Sequence, residues 1–143
     1  MRENQIISID PGREKCGIAV VHNSLNIIYK AIIETAYLSE TVKELAENHS
    51  INMIIIGDGT TSQAAQRALN KIKVKGQALI IISVNEYRTT DDARKRYWAE
   101  NPPNGFKRLI PTTLQVPPVP VDDYVAIILA ERFFTDKKNS LDM

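Results

Sequence analysis

Acidic side chains follow several apolar runs of this sequence, where predicted strands end or a predicted helix begins. Asp10 closes the first apolar run, Asp58 follows a later run, and Glu86 lies just past the next. Asp122 and Asp123 start the last predicted helix. In open α/β sheets, binding sites gather at the carboxyl ends of the parallel strands. We therefore expect these acids to share one edge of a sheet.

Carboxylates crowded into one cleft repel one another, and they either share protons or hold a cation. Hard oxygen ligands suit Mg²⁺ or Mn²⁺, and a pair of such ions clamps the attacking and leaving oxygens of a phosphodiester. A metal ligand must be held still, which explains why a buried strand would end on Asp10. The alternatives are structural: Asp-Pro-Gly is a common turn, and Asp122 or Asp123 can cap the last helix.

Basic and aromatic side chains form a second group, around the predicted helix Thr89–Glu100. Its members are Arg88, Arg94, Lys95, Arg96, Tyr97 and Trp98. Such a cluster could hold phosphates and stack a base. The alternative is a solvated helix face with the two aromatic side chains in the core. Lys107 and Arg108 are further candidates for phosphate binding.

The elements that position these residues follow a mixed α/β pattern. Apolar runs predict strands over Gln5–Ile9, Gly17–Val21, Asn26–Ile33, Met53–Ile56 and Ala78–Val84. Helical periodicity predicts a short helix ending near His49 and helices over Thr60–Lys73, Thr89–Glu100 and Val121–Phe134. The proline-rich stretch Asn101–Pro120 indicates a long loop. The order predicts a five-stranded mixed sheet, a three-strand antiparallel meander plus two parallel strands, with helices on both faces.

Length and composition narrow the class of protein. The 143 residues predict one domain over 1–143, with a polar tail from about residue 136. The net charge of +1 does not argue for a polyanion partner by itself, so such a partner would need a local patch. The single cysteine, Cys16, predicts a buried core residue in a reduced, cytoplasmic setting. No run approaches the roughly 18 apolar residues of a membrane span, so we expect no membrane partner.

Three segments resemble the YqgF family, RNase H-like proteins described as Holliday-junction resolvases and pre-16S ribosomal RNA nucleases. IDPGREKCGIAV is similar to the first-strand motif of the family, with Asp10, Gly12 and Gly17 at the matching positions. VNEYRTTDDA is similar to an acid-containing stretch that ends in two hydroxyl residues and contains Glu86. VDDYVAIILAERFF is similar to the last helix of the family and contains Asp122. The order and spacing span nearly the whole chain.

This resemblance implies an RNase H-like fold and a nuclease that depends on Mg²⁺ or Mn²⁺. It assigns Asp10, Glu86 and Asp122 as both the catalytic triad and the metal ligands. With the basic cluster, it implies nucleic-acid contacts through Lys15, Arg88, Thr89, Arg94 and Lys107. Resolvases of the RuvC type keep an acid after the fourth strand, so Asp58 is a substitute ligand.

The leading hypothesis is a metal-dependent nuclease that hydrolyses phosphodiester bonds in structured nucleic acid, a Holliday junction or precursor rRNA. The alternative is a non-catalytic RNase H-like domain that binds nucleic acid or protein. A third interpretation is the phosphate loop of sugar kinases and actin-like ATPases. That interpretation is disfavoured because those enzymes need two such domains around the nucleotide. A homodimer stays an open alternative.

Overall fold

The computed structural model describes residues 4–142 of the chain, and side chains from residue 4 to residue 137. Three antiparallel strands come first: β1 (Gln5–Asp10), β2 (Lys15–His22) and β3 (Ile27–Glu34). Asp10 at the end of β1 stands opposite Gly17 of β2. The predicted antiparallel meander is therefore confirmed.

A helical crossover then returns the chain to the sheet beside β1. Helix α1 (Leu38–His49) leads to β4 (Met53–Gly57), which pairs parallel to β1. Later, β7 (Ile80–Val84) pairs parallel to β4. The resulting order β3-β2-β1-β4-β7 places the carboxyl ends of β1, β4 and β7 at one edge of the sheet. This is the predicted five-stranded mixed sheet.

The segment between β4 and β7 differs from the prediction. Helix α2 (Ser62–Leu69) ends before Lys73, and a small hairpin of β5 (Lys73–Val74) and β6 (Gln77–Ala78) follows it. Its two-residue turn has positive φ at both Lys75 (52°) and Gly76 (79°). Hairpins favour such turns because their twist matches that of the strands. The Lys75–Gly76 pair indicates this turn in the sequence, but the prediction followed the apolar pattern around it and missed the hairpin.

Helices cover both faces of the sheet. Alternate strand residues such as Ile7, Ile9 and Ile54 pack under α1 and α2. Their neighbours, such as Ile6 and Ile55, pack under the other helices. Burial on both sides explains the continuous apolar character of the central strands β1, β2 and β4. Cys16 is fully buried, as predicted.

Helices α3 (Thr89–Glu100) and α4 (Asp122–Asp142) form the second helical layer. The proline-rich segment between them contains two short 3-10 turns, over Gly105–Leu109 and Thr112–Leu114. Helix α4 runs beyond Phe134, through residues that the sequence predicted as a polar tail. None of the helices within residues 4–142 has the length and apolar character to cross a membrane.

Candidate active site

The strand alternation aims Asp10 at the first turn of α4. Side chains of Ile6, Ser8 and Asp10 share one face of β1, and the buried Ser8 hydroxyl donates to the Ala126 carbonyl oxygen at 2.6 Å. Two residues along a strand span about 6.6 Å, and four residues along a helix span about 6 Å. Helix α4 runs antiparallel to β1. Two residues along β1 from Ser8 to Asp10 therefore match four residues back along α4 from Ala126 to Asp122, so Asp10 and Asp122 lie at the same level.

Gly17 makes this close approach possible. It is the cross-strand partner of Asp10, and a Cβ atom at Gly17 would overlap the backbone carbonyl of Asp122. Only a residue without a side chain lets the start of α4 lie directly on β2. The second glycine of the IDPGREKCGIAV motif is thus explained by packing of the Asp122 backbone.

Glu86 is held over the end of β4 by a set of backbone contacts. Its amide donates to Asp58 Oδ1 at 3.2 Å, and the Asp58 amide donates to the Val84 carbonyl at 3.1 Å. The Glu86 side chain lies over two glycines: a Cβ at Gly57 would stand 2.6 Å from Glu86 Oε2, and one at Gly59 would overlap Oε1. Glycines at both positions therefore make room for this carboxylate.

The electrostatics show that the three predicted acids are neighbours. The pKa of Asp10 is raised to about 7, mainly by burial and then by the charges of Asp122 and Glu86. Burial, followed by the charge of Asp123, also raises the pKa of Asp122, whereas Lys15 lowers it. The edge of the sheet thus concentrates negative charge that nearby cations do not fully compensate.

Asp123 is turned toward β3. Its Oδ2 accepts a hydrogen bond from Lys30 Nζ at 3.1 Å, and its Oδ1 accepts from the Tyr124 amide at 3.0 Å. The Lys30 ammonium also lies 4.8 Å from the centroid of the Tyr124 ring. Asp123 does not contribute to the raised pKa of Asp10. The structure thus separates two adjacent acids that sequence periodicity could not distinguish.

Asp58 lies beside the loop that carries Glu86, and its role as a substitute ligand stays a prediction. Its side chain is exposed, and its carboxylate accepts from the Glu86 backbone. It is not among the charges that raise the pKa of Asp10. Asp58 therefore positions the Glu86 loop, a role that sequence reasoning missed.

The three acids have the type of ligand atom that a divalent cation needs, but they are not arranged as a closed metal site. Carboxylate oxygens of Asp10, Asp122 and Glu86 are the ligand type that Mg²⁺ and Mn²⁺ prefer. After burial, the charges of Asp122 and Glu86 also raise the pKa of Asp10. Across the residues that the structure describes, however, no three His, Cys, Asp or Glu side chains converge as a ready-made metal site. The acids are adjacent but not closed around a common point.

The predicted nucleic-acid-binding residues have different positions. Lys15 is exposed near Asp122, and Arg88 and Arg94 are exposed at the start and middle of α3. Thr89 is buried, and its hydroxyl donates to the Glu86 carbonyl at 2.8 Å. A hydroxyl engaged in this way fixes the helix start, and the nucleic-acid contact of Thr89 stays a prediction.

The basic and aromatic cluster of α3 divides into two parts. Arg96 pairs with Glu131 of α4 and, at 3.3 Å, with Glu100. Tyr97 packs edge-on against Trp98 and Tyr124. These two residues join α3 to α4. Arg94, Lys95 and Trp98 instead border a cavity against the proline-rich segment, where Lys107 lines an adjoining cavity.

Comparison with known proteins gives one family and one fold. The family model described as Tex protein YqgF-like domain matches residues 4–91. No curated protein matches the chain in sequence. A structure of Thermus thermophilus RuvC is 12% identical, with a TM-score of 0.57 over 94% of this chain and 96% of that chain. T. thermophilus RuvC in complex with Holliday junction substrate is 15% identical, with a TM-score of 0.58 over 94% and 95%. At these identities the likeness shows a shared RNase H-like fold.

Proposed function

This chain belongs to the family of the Tex protein YqgF-like domain, and on that premise we propose that it is a metal-dependent nuclease. It hydrolyses phosphodiester bonds in structured nucleic acid, with a Holliday junction or precursor rRNA as the substrate class. Asp10, Glu86 and Asp122 hold the Mg²⁺ or Mn²⁺ ions. Lys15, Arg88, Arg94 and Lys107 contact phosphates.

The observation that carries this proposal is the electrostatic coupling of three carboxylates at the carboxyl edge of the sheet. Asp10 binds a proton with a pKa of about 7 because it is buried beside Asp122 and Glu86. A site used only for packing would avoid such repulsion, since an apolar residue or a single carboxylate costs less there. Strongly shifted pKa values cluster at functional sites.

Each acid has a distinct task in this scheme. Asp10, on the rigid strand β1, supplies a fixed ligand, and Asp122 approaches it from the helix start. Glu86, on a loop held by Asp58, would supply the third carboxylate to a bound ion. Bound divalent ions supply an activated water and stabilise the leaving oxygen. Lys15 offsets part of the charge beside Asp122 and can orient a phosphate entering the site.

The test is cleavage of a labelled four-way DNA junction and of a structured precursor-type RNA, with Mg²⁺ or Mn²⁺ and at fixed salt. We expect metal-dependent cleavage of at least one substrate, loss of cleavage in Asp10→Asn, and normal cleavage in Asp136→Asn, an exposed acid of α4. Activity of Asp10→Asn within about threefold of wild type, less than 1 kcal/mol in barrier, would exclude Asp10 as an essential ligand.

A second candidate is a non-catalytic RNase H-like domain that binds nucleic acid. It is favoured by the lack of three converging ligands within the described residues. Calorimetric titration with Mn²⁺ separates the two candidates. Binding of Mn²⁺ that disappears in Asp10→Asn supports the nuclease, whereas junction binding without Mn²⁺ uptake or cleavage supports the second candidate.

A further inference from the structure

A continuous groove runs between α3 and the proline-rich segment. One cavity of about 320 Å³ is lined by Arg88, Arg94, Lys95 and Trp98 on the α3 side and by Thr112 and Gln115 on the other. An adjoining cavity of about 490 Å³ shares Trp98 and Gln115 and reaches Lys107. Each volume is in the range of small-ligand sites, roughly 300–1,000 Å³. We call the two together the α3 groove.

The α3 groove carries positive charge, and most of its cations have no ion-pair partner among the described residues. Arg94, Lys95 and Lys107 make no ion pair within the part of the chain that the structure describes. The acid in the lining, Asp91, contacts Arg88 at 3.6 Å through two exposed side chains. Such a pair contributes little and opens easily. Anionic groups are therefore the ligands that this lining favours.

Trp98 is the point where the two cavities meet. It is the only tryptophan of the chain, and it is half-buried with Tyr97 edge-on at 5.1 Å between ring centroids. Trp98 lines both cavities. Aromatic rings beside cations are the usual platform for unpaired bases, because every base has a face that can stack.

We propose that the α3 groove binds a single-stranded segment of the nucleic acid, with its phosphates on Arg88, Arg94 and Lys95 and a base against Trp98. The inference rests on the proposed function, which places the nucleic acid at the acidic edge. Arg88 comes two residues after Glu86, so a strand that leaves the acidic edge enters the α3 groove directly. Paired bases are already stacked in a duplex and cannot reach the indole ring. The groove thus selects substrates with a splayed or single-stranded arm.

Trp98 also supplies the readout, since the tryptophan fluorescence of the full chain comes from this one indole. The experiment titrates the protein with an oligothymidylate of about 12 nucleotides, a length within typical single-strand sites. A duplex of that strand with its complement is the comparison, and EDTA is present throughout. We expect saturable quenching by the single strand and much weaker quenching by the duplex at equal phosphate concentration. Equal quenching by both would overturn single-strand selection.

Charge variants locate the phosphates. Arg94→Gln should weaken single-strand binding about 3- to 10-fold and reduce the slope of log affinity against log salt by about 0.7 per lost contact. Arg67→Gln, an exposed arginine of α2 on the opposite face of the sheet, is the matched control and should change neither. Identical effects of the two substitutions would overturn the assignment to the groove.

A second pair of variants tests stacking through the anisotropy of labelled oligonucleotide. Trp98→Phe should abolish the quenching signal and keep most of the binding, whereas Trp98→Ala should lose about fivefold or more. Unchanged binding in a folded Trp98→Ala variant would exclude stacking. If the alanine variant does not fold, the affinity of Trp98→Phe is measured instead, and loss of most of the binding in that variant would contradict stacking on an aromatic ring. EDTA prevents cleavage, so the quenching titration measures binding separately from the cleavage assay. Quenching by a protein that shows no nuclease activity in the cleavage assay would contradict only the proposed function. Cleavage by a protein that shows no quenching would contradict only single-strand binding in the α3 groove.

Discussion

The acidic edge and the α3 groove lie on either side of the loop that carries Glu86, and they are built in opposite ways. At the acidic edge, Asp10 and Asp122 are placed by a buried strand, by the Ser8 hydrogen bond and by contact at Gly17. In the groove, cations such as Arg94 extend from an exposed helix face. The acids of the edge are thus held by packing, whereas the cations of the groove are exposed and have few fixed partners. Changes at the edge should affect activity and stability together, and changes in the groove should affect binding alone.

The largest effect should come from the choice between two adjacent acids. We expect Asp122→Asn to lower cleavage about 10³-fold, roughly 4 kcal/mol in barrier, because it removes a carboxylate beside Asp10. Asp123→Asn should cost less than about tenfold, since its carboxylate is paired with Lys30. Rates of junction or RNA cleavage at fixed metal and salt provide the measurement. Equal losses in the two variants would remove the distinction.

The next effect concerns stability at the contact between β2 and α4. Gly17→Ala places a methyl group on the backbone of Asp122, and backbone in a packed core cannot easily retreat. We expect a loss of about 2–4 kcal/mol in the free energy of unfolding by urea titration. Gly105→Ala is a comparison in which a Cβ meets nothing within 4 Å but φ is +63°, so its smaller loss reports backbone strain alone. A tolerated Gly17→Ala would show that the edge is not rigid.

The pH dependence of stability tests the electrostatic side of the comparison. The pKa of Asp10 is raised from 3.8 to about 7 in the folded protein, so the folded state binds more protons than the unfolded state between these values. The free energy of unfolding should therefore fall as the pH rises from about 4 to about 7. Asp10→Asn cannot ionise, so at pH 8 it should be more stable than wild type by about 1–3 kcal/mol, after allowance for solvent screening.

At pH 4, where Asp10 is largely protonated in the folded protein, the two proteins should differ little. Urea titrations of both proteins at the two pH values provide the measurement. A variant that is less stable than wild type at pH 8 would contradict the predicted repulsion.

The smallest effect should be on the stability of groove variants. Arg94→Gln and Lys95→Gln remove exposed charges without ion-pair partners in the described chain, so the free energy of unfolding should change by less than about 0.5 kcal/mol. Thermal or urea unfolding checks this. A loss larger than 1 kcal/mol in either variant would show that the groove is a structural contact rather than a binding surface.

Much of the fold could be predicted, because the sequence patterns that indicate its strands are local. Continuous apolar runs that end on Asp10 and Gly57 indicated buried parallel strands, and their order along the chain fixed the mixed sheet. The Lys75–Gly76 hairpin was missed because its flanking strands contain only two residues each. The neighbours of Thr89 in sequence suggested a surface, so the hydrogen bond from its hydroxyl to the Glu86 carbonyl could not be inferred from them.

The site itself depends on packing that no local pattern contains. Asp122 and Asp123 each precede apolar residues at helical spacing, so only the Lys30 ion pair and the Gly17 contact distinguish them. Ser8 is the interior polar residue of an otherwise apolar strand. That exception was a readable signal of a specific partner, although its partner on α4 could not be inferred. The roles of the three acids in catalysis stay predictions.

The Ser8–Ala126 hydrogen bond joins residues 118 positions apart in sequence, and this separation has a consequence for synthesis. During translation, β1 emerges long before α4, and domains generally fold as units once their parts are available. Until the last helix has left the ribosome, the α4 face of the sheet is uncovered and Asp10 lacks Asp122. A nascent chain therefore carries the exposed cations of α3, such as Arg94, before the acidic edge is complete. The acidic edge is therefore assembled only after α4 has been synthesised.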